Sequence, residues 1–356
     1  MKSFEKGNIA IAKAAIAAGC SFYVGYPITP QNDVPEFMSE ALPSLGRTFI
    51  QGSSEVECGE ILLGAALGGA RAMTSTSGPG MSLFAEGISF MTGMNCPAVI
   101  VDVARPGPGM GGIDAAQQDY FYCVKAPGNG GGRAFVMSPS SVQELVDMVY
   151  SSFDIAEKYT NPVIILTDAI IGQTWEVVEI PEQRPLDSLP CNHEWDHTWR
   201  ESADPNDQKW AGSMYMPVSA QEAYCNLLRD RYIEMRQDTK CETYRLDDAE
   251  IVVFAYGSVA RIAKSAIDSL REAGIKAGLF RPITLFPFPT EEIRNLDYSR
   301  IKKAIDIEMA PYGMMQEDVE IAVKGQVDVE FYGRSGGILI TADQICDQVK
   351  ALAERS

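Results

Sequence analysis

Between Phe22 and Asp168, short apolar runs alternate with helix-patterned stretches, and this alternation restricts the fold more than any other feature. The runs are "SFYVG", "RTFIQ", "RAMTSTS", "PAVIVDVAR" and "NPVIILTD". Between them lie "NDVPEFMSEAL", "SSEVECGEILLGAALGG", "GMSLFAEGISFMTGM" and "SVQELVDMVYSSFDIAEKY". Runs that are apolar on both faces belong in a sheet covered by helices on both sides, and strand–helix–strand order makes its strands parallel. A leading helix, "GNIAIAKAAIAAG", is closed by Gly19. The first part of the chain is therefore expected to be an α/β domain.

With 356 residues the chain exceeds one typical core. The texture changes near residue 175. "EIPEQRPLDSLP" is extended and Pro-rich, "CNHEWDHTWRESADPNDQKW" is polar with interspersed Trp, and "SAQEAYCNLLRDRYIEMRQD" is helical. A second α/β unit begins at "AEIVVFAYGS" and continues through "SVARIAKSAIDSLREAG", "KAGLFRPITLFPFP" and "KKAIDIEMA". The expected division is 1–174, a connector at 175–248 wrapping the first domain, and 249–356. Deleting 249–356 is expected to leave a soluble first domain.

The net charge of −18 argues against a nucleic-acid groove or an anionic membrane surface. No run approaches the roughly 20 apolar residues of a membrane span. "AAIAAGC" ends like a lipoprotein cleavage site, but Glu5 and Lys13 interrupt the apolar stretch, so an amphipathic helix is the better reading. The eight cysteines are scattered with no CxxC pair, the pattern of reduced intracellular thiols. A cytoplasmic protein is expected, with no iron–sulfur cluster in this chain.

Two motifs match well-known signatures only literally. "GPGMGG", Gly107 to Gly112, follows a strand as GxGxxG should. It lacks the acidic residue about 20 positions on, and Pro108 sits inside the turn, so it reads as a substrate or cofactor loop rather than an NAD site. "HEWDH", His193 to His197, lies in the Pro- and Asp-rich connector rather than on a helix, so zinc catalysis is not expected.

Three carboxylates, Glu55, Glu57 and Glu60, crowd the entrance of the helix after "RTFIQ". Ser54 and Glu57 fit a capping box, and the macrodipole favours Glu55 in the first turn. From Ile61 to Ala70 the composition is that of a buried helix packed close to a neighbour. Small residues and the Gly-rich turn of "TSTSGPG" leave room for a flat ligand beside a carboxylate, at the carboxyl ends of parallel strands.

"GYPITPQND", "SSEV", "GAALGGARAMTSTSGPGMSL" and "VIVDVARPGPG" resemble the α subunit of 2-oxoacid:ferredoxin oxidoreductases, of the 2-oxoisovalerate (branched-chain) type. The resemblance resumes in "FAYGSVARIAKSAI", "LFRPITLFPFP", "IEMAPYGMMQEDVEIAV" and "YGRSGG". It implies a pyrimidine-type thiamine-diphosphate-binding parallel-sheet domain, followed by a transketolase C-terminal-like α/β domain. It also implies CoA-dependent oxidative decarboxylation of a 2-oxoacid, with electrons passed to ferredoxin.

Counting from "SE" to the Gly of "LLGA", Glu55 and not Glu57 takes the family's carboxylate position, in contact with the pyrimidine ring. Pro27, Ser77 and Gly78 fall on cofactor-binding positions. Arg105 and Thr29 match substrate-binding ones, and Gln118 in "QQDYF" falls near a substrate loop. No GDG followed by Asn, which would hold magnesium and the diphosphate, occurs here. The resemblance therefore implies a β subunit carrying that half of the site, and γ- and δ-type partners for coenzyme A and the iron–sulfur clusters. The same complex acting on 2-oxoglutarate, pyruvate or an arylglyoxylate remains open, as do a non-catalytic scaffold and an NAD dehydrogenase.

Overall fold

The computed structural model describes residues 2–189 and 211–355. The first part contains β1 (Lys2–Lys6), α1 (Gly7–Ala17), β2 (Phe22–Gly25), α2 (Asp33–Ser44), β3 (Thr48–Gln51), α3 (Glu55–Leu67), β4 (Ala72–Thr76), α4 (Pro79–Leu83) and α5 (Ala85–Gly93). It continues with β5 (Val99–Ala104), β6 (Phe135–Met137), α6 (Val142–Tyr159), β7 (Val163–Asp168), α7 (Ala169–Gln173) and β8 (Trp175–Glu179). Then follow α8 (Val218–Glu234), β9 (Cys241–Tyr244), β10 (Ile251–Phe254), α9 (Gly257–Glu272), β11 (Ala277–Pro282) and β12 (Thr284–Phe286). The last elements are α10 (Thr290–Arg294), β13 (Lys303–Glu308), α11 (Gln316–Val323), β14 (Val329–Gly333) and α12 (Ala342–Glu354).

The larger sheet has the order β12-β6-β7-β5-β4-β2-β3 and is parallel except at β12. Every residue of β4, β5 and β7 is buried, which is why these runs read as continuous rather than alternating. One apolar layer forms around Leu62, Phe84, Met91 and Ile100. The other forms around α1 and α6, with Ile11, Val101, Val149 and Phe153. Helix α3 presents Val56, Glu57, Glu60 and Gly64 to solvent, so only one face is core. Its close approach to a neighbour falls at Gly59 against Gly87 of α5, where an added side-chain carbon on Gly87 would meet the Gly59 Cα at 3.0 Å.

The second sheet runs β14-β13-β10-β11-β9, parallel except for β9. Strands β1 and β8 form a separate antiparallel ribbon. Helix α8 lies against the first domain: the Tyr232 hydroxyl accepts the Arg133 N–H at 2.9 Å, and Arg231 donates to Asn95 at 2.6 Å.

The two α/β units share structure. Strand β12, downstream of residue 249, forms the edge of the larger sheet by pairing with β6. One apolar cluster runs from Leu62 and Ile100 to Phe254, Phe280 and Val319. Gln117 donates to the Tyr256 carbonyl and accepts the Met309 N–H. The first domain therefore does not stand free of residues 249–356 as expected: their removal strips its sheet edge and opens its core. Three-residue strands such as β6 and β12 carry no periodicity to read.

Candidate active site

The loops that leave the carboxyl ends of β2, β4 and β5 lie side by side, because these strands are neighbours in the sheet. In open α/β sheets this end carries the ligand crevice. Tyr26 to Pro30 follows β2, Ser77 to Gly80 follows β4, and Arg105 to Gly112 follows β5. The N-terminus of α3, reached from β3, adds Glu55.

Glu55 is 7% exposed. Among the described residues no hydrogen-bond donor pairs with its carboxylate. Burial of an ionisable group without a partner is costly, so the position needs a reason beyond helix capping. Gly80 provides one. A methyl group on Gly80 would lie 2.2 Å from the Thr76 hydroxyl and 2.8 Å from Glu55 Oε1. Only glycine therefore lets the Thr76 hydroxyl and the Glu55 carboxylate pack this close to the chain at residue 80. The Thr76 and Ser77 hydroxyls are both buried without a hydrogen-bond partner.

The capping box is displaced by one residue. The Ser54 hydroxyl accepts the Glu57 N–H at 3.2 Å, as expected. The Glu57 carboxylate, however, takes the amide and hydroxyl of Ser53, the latter at 2.6 Å, rather than the Ser54 amide. The Ser53 hydroxyl and amide hold the Glu57 carboxyl below its usual range, on the surface. Glu57 is a capping group; Glu55 faces inward.

Arg105 is 5% exposed. Its guanidinium donates to the Thr29 carbonyl at 2.8 Å and to the Met110 carbonyl at 3.1 Å, while Nε is buried without a partner. Among the described residues no carboxylate lies within ion-pair distance of it. A buried cation held by neutral carbonyls keeps its charge for an anion. Gly78 lies against it: a side-chain carbon there would come within 3.1 Å of Arg105 Cγ, and the Gly78 φ of +43° is one that only glycine adopts without strain.

The remaining predicted residues divide. Thr29 is half-buried, and its hydroxyl accepts from Asn32 at 3.4 Å. Pro27 is exposed at the rim. Gln118 is half-buried with its amide oxygen unpartnered, whereas its neighbour Gln117 is committed to the contact with Tyr256 and Met309. The "GPGMGG" loop turns at Gly109 and Gly111, with φ of +68° and +56°, and supplies the Met110 carbonyl to Arg105. "HEWDH" lies outside the described residues. Among those described, no group of three or more His, Cys, Asp or Glu side chains could hold a metal ion.

Two features escaped sequence reasoning. Thr76 and Gly80 pack directly against Glu55; their signal was the small-residue run "TSTSGPG" itself. Beneath Arg105 lie two buried aspartates, Asp102 on β5 and Asp119, which an apolar strand pattern does not announce.

Fold and site together define a parallel-sheet α/β protein with its candidate site at the carboxyl ends of β2, β4 and β5. Residues 13–239 match the family described as pyruvate flavodoxin/ferredoxin oxidoreductase, thiamine diphosphate-binding, and residues 249–345 match pyruvate:ferredoxin oxidoreductase core domain II. The chain is 43% identical to the ketoisovalerate oxidoreductase subunit VorB of Methanothermobacter marburgensis, covering 99% of this chain and 98% of the relative. It is 34% identical to the 2-oxoglutarate synthase subunit KorA of Methanocaldococcus jannaschii, over 96% and 97%. The solved 2-oxoglutarate:ferredoxin oxidoreductase from Magnetococcus marinus superposes with a TM-score of 0.85 at 23% identity, covering 99% of this chain and 65% of that longer one, which shows a shared fold. A split-gene transketolase superposes at 0.61 with 13% identity, over 98% of both chains. The chain belongs to the 2-oxoacid:ferredoxin oxidoreductase family, as a subunit of the VorB type.

Proposed function

We propose that this chain provides the pyrimidine side of a shared thiamine diphosphate site and binds the carboxylate of a branched-chain 2-oxoacid. The burial of Glu55 with no hydrogen-bond donor on its carboxylate among the described residues carries this reading. Two observations fit the cofactor to these residues: Glu55 is buried with no donor on its carboxylate, and the Thr76 and Ser77 hydroxyls beside it are buried without partners. When bound, the cofactor supplies the electron sink that decarboxylation of a 2-oxoacid requires.

Glu55 holds a proton at the pyrimidine nitrogen, in a site dry enough for that contact to matter. Ser77 and Gly78 line the cofactor on the β4 side, and Pro27 closes the rim. Arg105 takes the substrate carboxylate, with Thr29 and Gln118 beside it. A β subunit supplies magnesium and the diphosphate cradle. Partner chains of γ and δ type handle coenzyme A and carry the iron–sulfur clusters that deliver electrons to ferredoxin.

The branched-chain preference rests on graded similarity: 43% and 41% identity to ketoisovalerate subunits, 34% to a 2-oxoglutarate subunit and 29% to a pyruvate subunit. Met110 and Ile113, on the loop that caps Arg105, are exposed apolar side chains that suit an apolar substrate tail.

The test is reconstitution with the partner subunits and CoA-dependent reduction of ferredoxin by three substrates. A branched-chain 2-oxoacid should exceed pyruvate by at least about tenfold in kcat/KM, the worth of one or two carbons in an apolar pocket. It should exceed 2-oxoglutarate as well, whose distal carboxylate is costly to place beside apolar side chains. A preference for 2-oxoglutarate would reverse the substrate assignment. No CoA-dependent reduction with any of the three would overturn the reading as a whole.

A further inference from the structure

Residues 105–134 connect β5 to β6 without an α-helix, and the π-helical turn Phe121–Lys125 is the only helical element among them. A crossover between parallel strands is usually held on its sheet by a helix. Here the second domain holds it. Ala115 is buried in that domain's apolar cluster, with Val253, Ala255 and Ala260. Gly337 closes on Asp114, where an added side-chain carbon would meet the Asp114 Cβ at 2.6 Å. Gln117 is 2% exposed, and each of its hydrogen-bonding atoms finds its partner in the second domain. Its amide donates to the Met309 carbonyl at 2.9 Å, and Oε1 accepts the Met309 amide at 2.9 Å. Nε2 donates to the Tyr256 carbonyl at 3.0 Å, and the Gln117 carbonyl accepts the Tyr256 hydroxyl at 3.2 Å.

The residues that follow return to the candidate site. Gln118 is half-buried with its amide oxygen unpartnered, and Asp119 accepts the Arg105 backbone N–H at 3.4 Å. Tyr120 then donates to Asp318 of α11 at 2.6 Å, a second anchor in the second domain. We propose that Gln117 is a positioning residue, through which the second domain sets the place of Gln118 and of the Arg105 backbone in the substrate pocket. The inference rests on the assignment of Arg105 and Gln118 to the substrate.

Tyr256 and Met309 follow the carboxyl ends of β10 and β13, which are paired neighbours in the second sheet. Gln117 is therefore fixed against a rigid edge rather than against another loop. Adjacent residues are joined by a planar peptide of fixed length, so a displacement of Gln117 is passed directly to Gln118 and Asp119. Small misplacements of substrate-holding groups are costly. Groups that hold the substrate equally in ground and transition state act on KM and leave kcat unchanged. A contact that only joined the two domains would change stability instead. Arg281 is such a contact: it hydrogen-bonds Glu144, Glu242 and the Ser138 carbonyl, and none of residues 105–119.

The test is the split between KM for the 2-oxoacid and kcat in the assembled complex, with Tm measured alongside. Gln117→Met keeps the side-chain volume and removes both side-chain hydrogen bonds; it should raise KM by about tenfold with kcat within about twofold of wild type. Tyr256→Phe keeps the ring and removes only the hydroxyl that reaches the Gln117 carbonyl. It should raise KM about fivefold, the worth of one neutral hydrogen bond, and it decides the matter alone if Gln117→Met does not assemble. Arg281→Met should lower Tm and leave KM at the wild-type value. A wild-type KM in an assembled Gln117→Met or Tyr256→Phe complex would overturn the proposal. So would an equal rise of KM in Arg281→Met, because KM would then only follow the loss of stability. If Arg105→Lys also leaves KM unchanged, the substrate assignment itself fails. If Arg105→Lys raises KM while Gln117→Met and Tyr256→Phe do not, only the positioning role is wrong.

Discussion

Arg105 donates to the main-chain carbonyl of Thr29 at 2.8 Å, across 76 residues of sequence. The contact ties the loop after β5 to the loop after β2; a second one reaches the Met110 carbonyl, and Nε stays unpartnered. Arg105→Lys keeps the charge and loses the planar fork. It should raise the substrate KM about tenfold, equivalent to about 1.5 kcal/mol for a charge-assisted hydrogen bond. Steady-state kinetics of the assembled complex measure it; an unchanged KM places Arg105 outside the pocket.

Glu55→Gln should lower turnover by about 10²–10⁴-fold, the usual worth of a positioned proton-transfer group. Assembly should be unaffected, because Ser54 still caps α3 through the Glu57 amide. Glu57→Gln should cost little turnover, since its carboxylate is occupied by Ser53 at the surface. A larger effect at Glu57 than at Glu55 would reverse the two roles.

Gly80→Ala places a methyl group 2.2 Å from the Thr76 hydroxyl and 2.8 Å from Glu55 Oε1, closer than any tolerated contact. Cofactor retention in the purified complex should drop sharply, and Tm should fall with it. Calorimetric titration with thiamine diphosphate separates this from misfolding. Normal affinity in the variant would show that the packing of Thr76 and Glu55 against Gly80 does not shape the cofactor site.

Arg281, on β11, has a fully buried side chain and pairs with Glu144 of α6 and Glu242 of β9, which are each about one-third exposed. Arg281→Met should cost about 3 kcal/mol, the lower end for breaking a buried pair, because both carboxylates keep partial access to water. Burial alone would raise Glu144, but hydrogen bonding and charge from Arg281 outweigh it and hold its carboxyl below the usual range. The ion pair therefore supports the fold above the unfolded carboxyl pKa, about 4.3, and its support is lost as pH falls below that toward the depressed folded value. The Tm difference between wild type and variant should be greatest near neutral pH and shrink toward pH 3. A constant difference would remove Glu144 from the account.

The alternation of apolar runs and helix patterns was enough to place most strands and helices, because periodicity and capping act over a few residues. Gly19, with φ of +92°, closes α1 where its sequence position suggests. Glu55 could be picked out as a residue at a helix start beside a Gly-rich turn. Other features required the folded chain. Strand β12 joins the first domain's sheet although it lies downstream of residue 249, because an open edge at β6 needs a partner and three residues suffice. The Glu57 carboxylate chooses Ser53 over Ser54, a matter of backbone direction entering the helix. The unpartnered burial of Arg105 Nε, on a guanidinium held by the Thr29 and Met110 carbonyls, arises only when strand ends distant in sequence become neighbours. Local pattern determines which segments become strands and helices; the charges of this site depend on which of those segments the sheet order brings side by side, and on the water that their packing excludes.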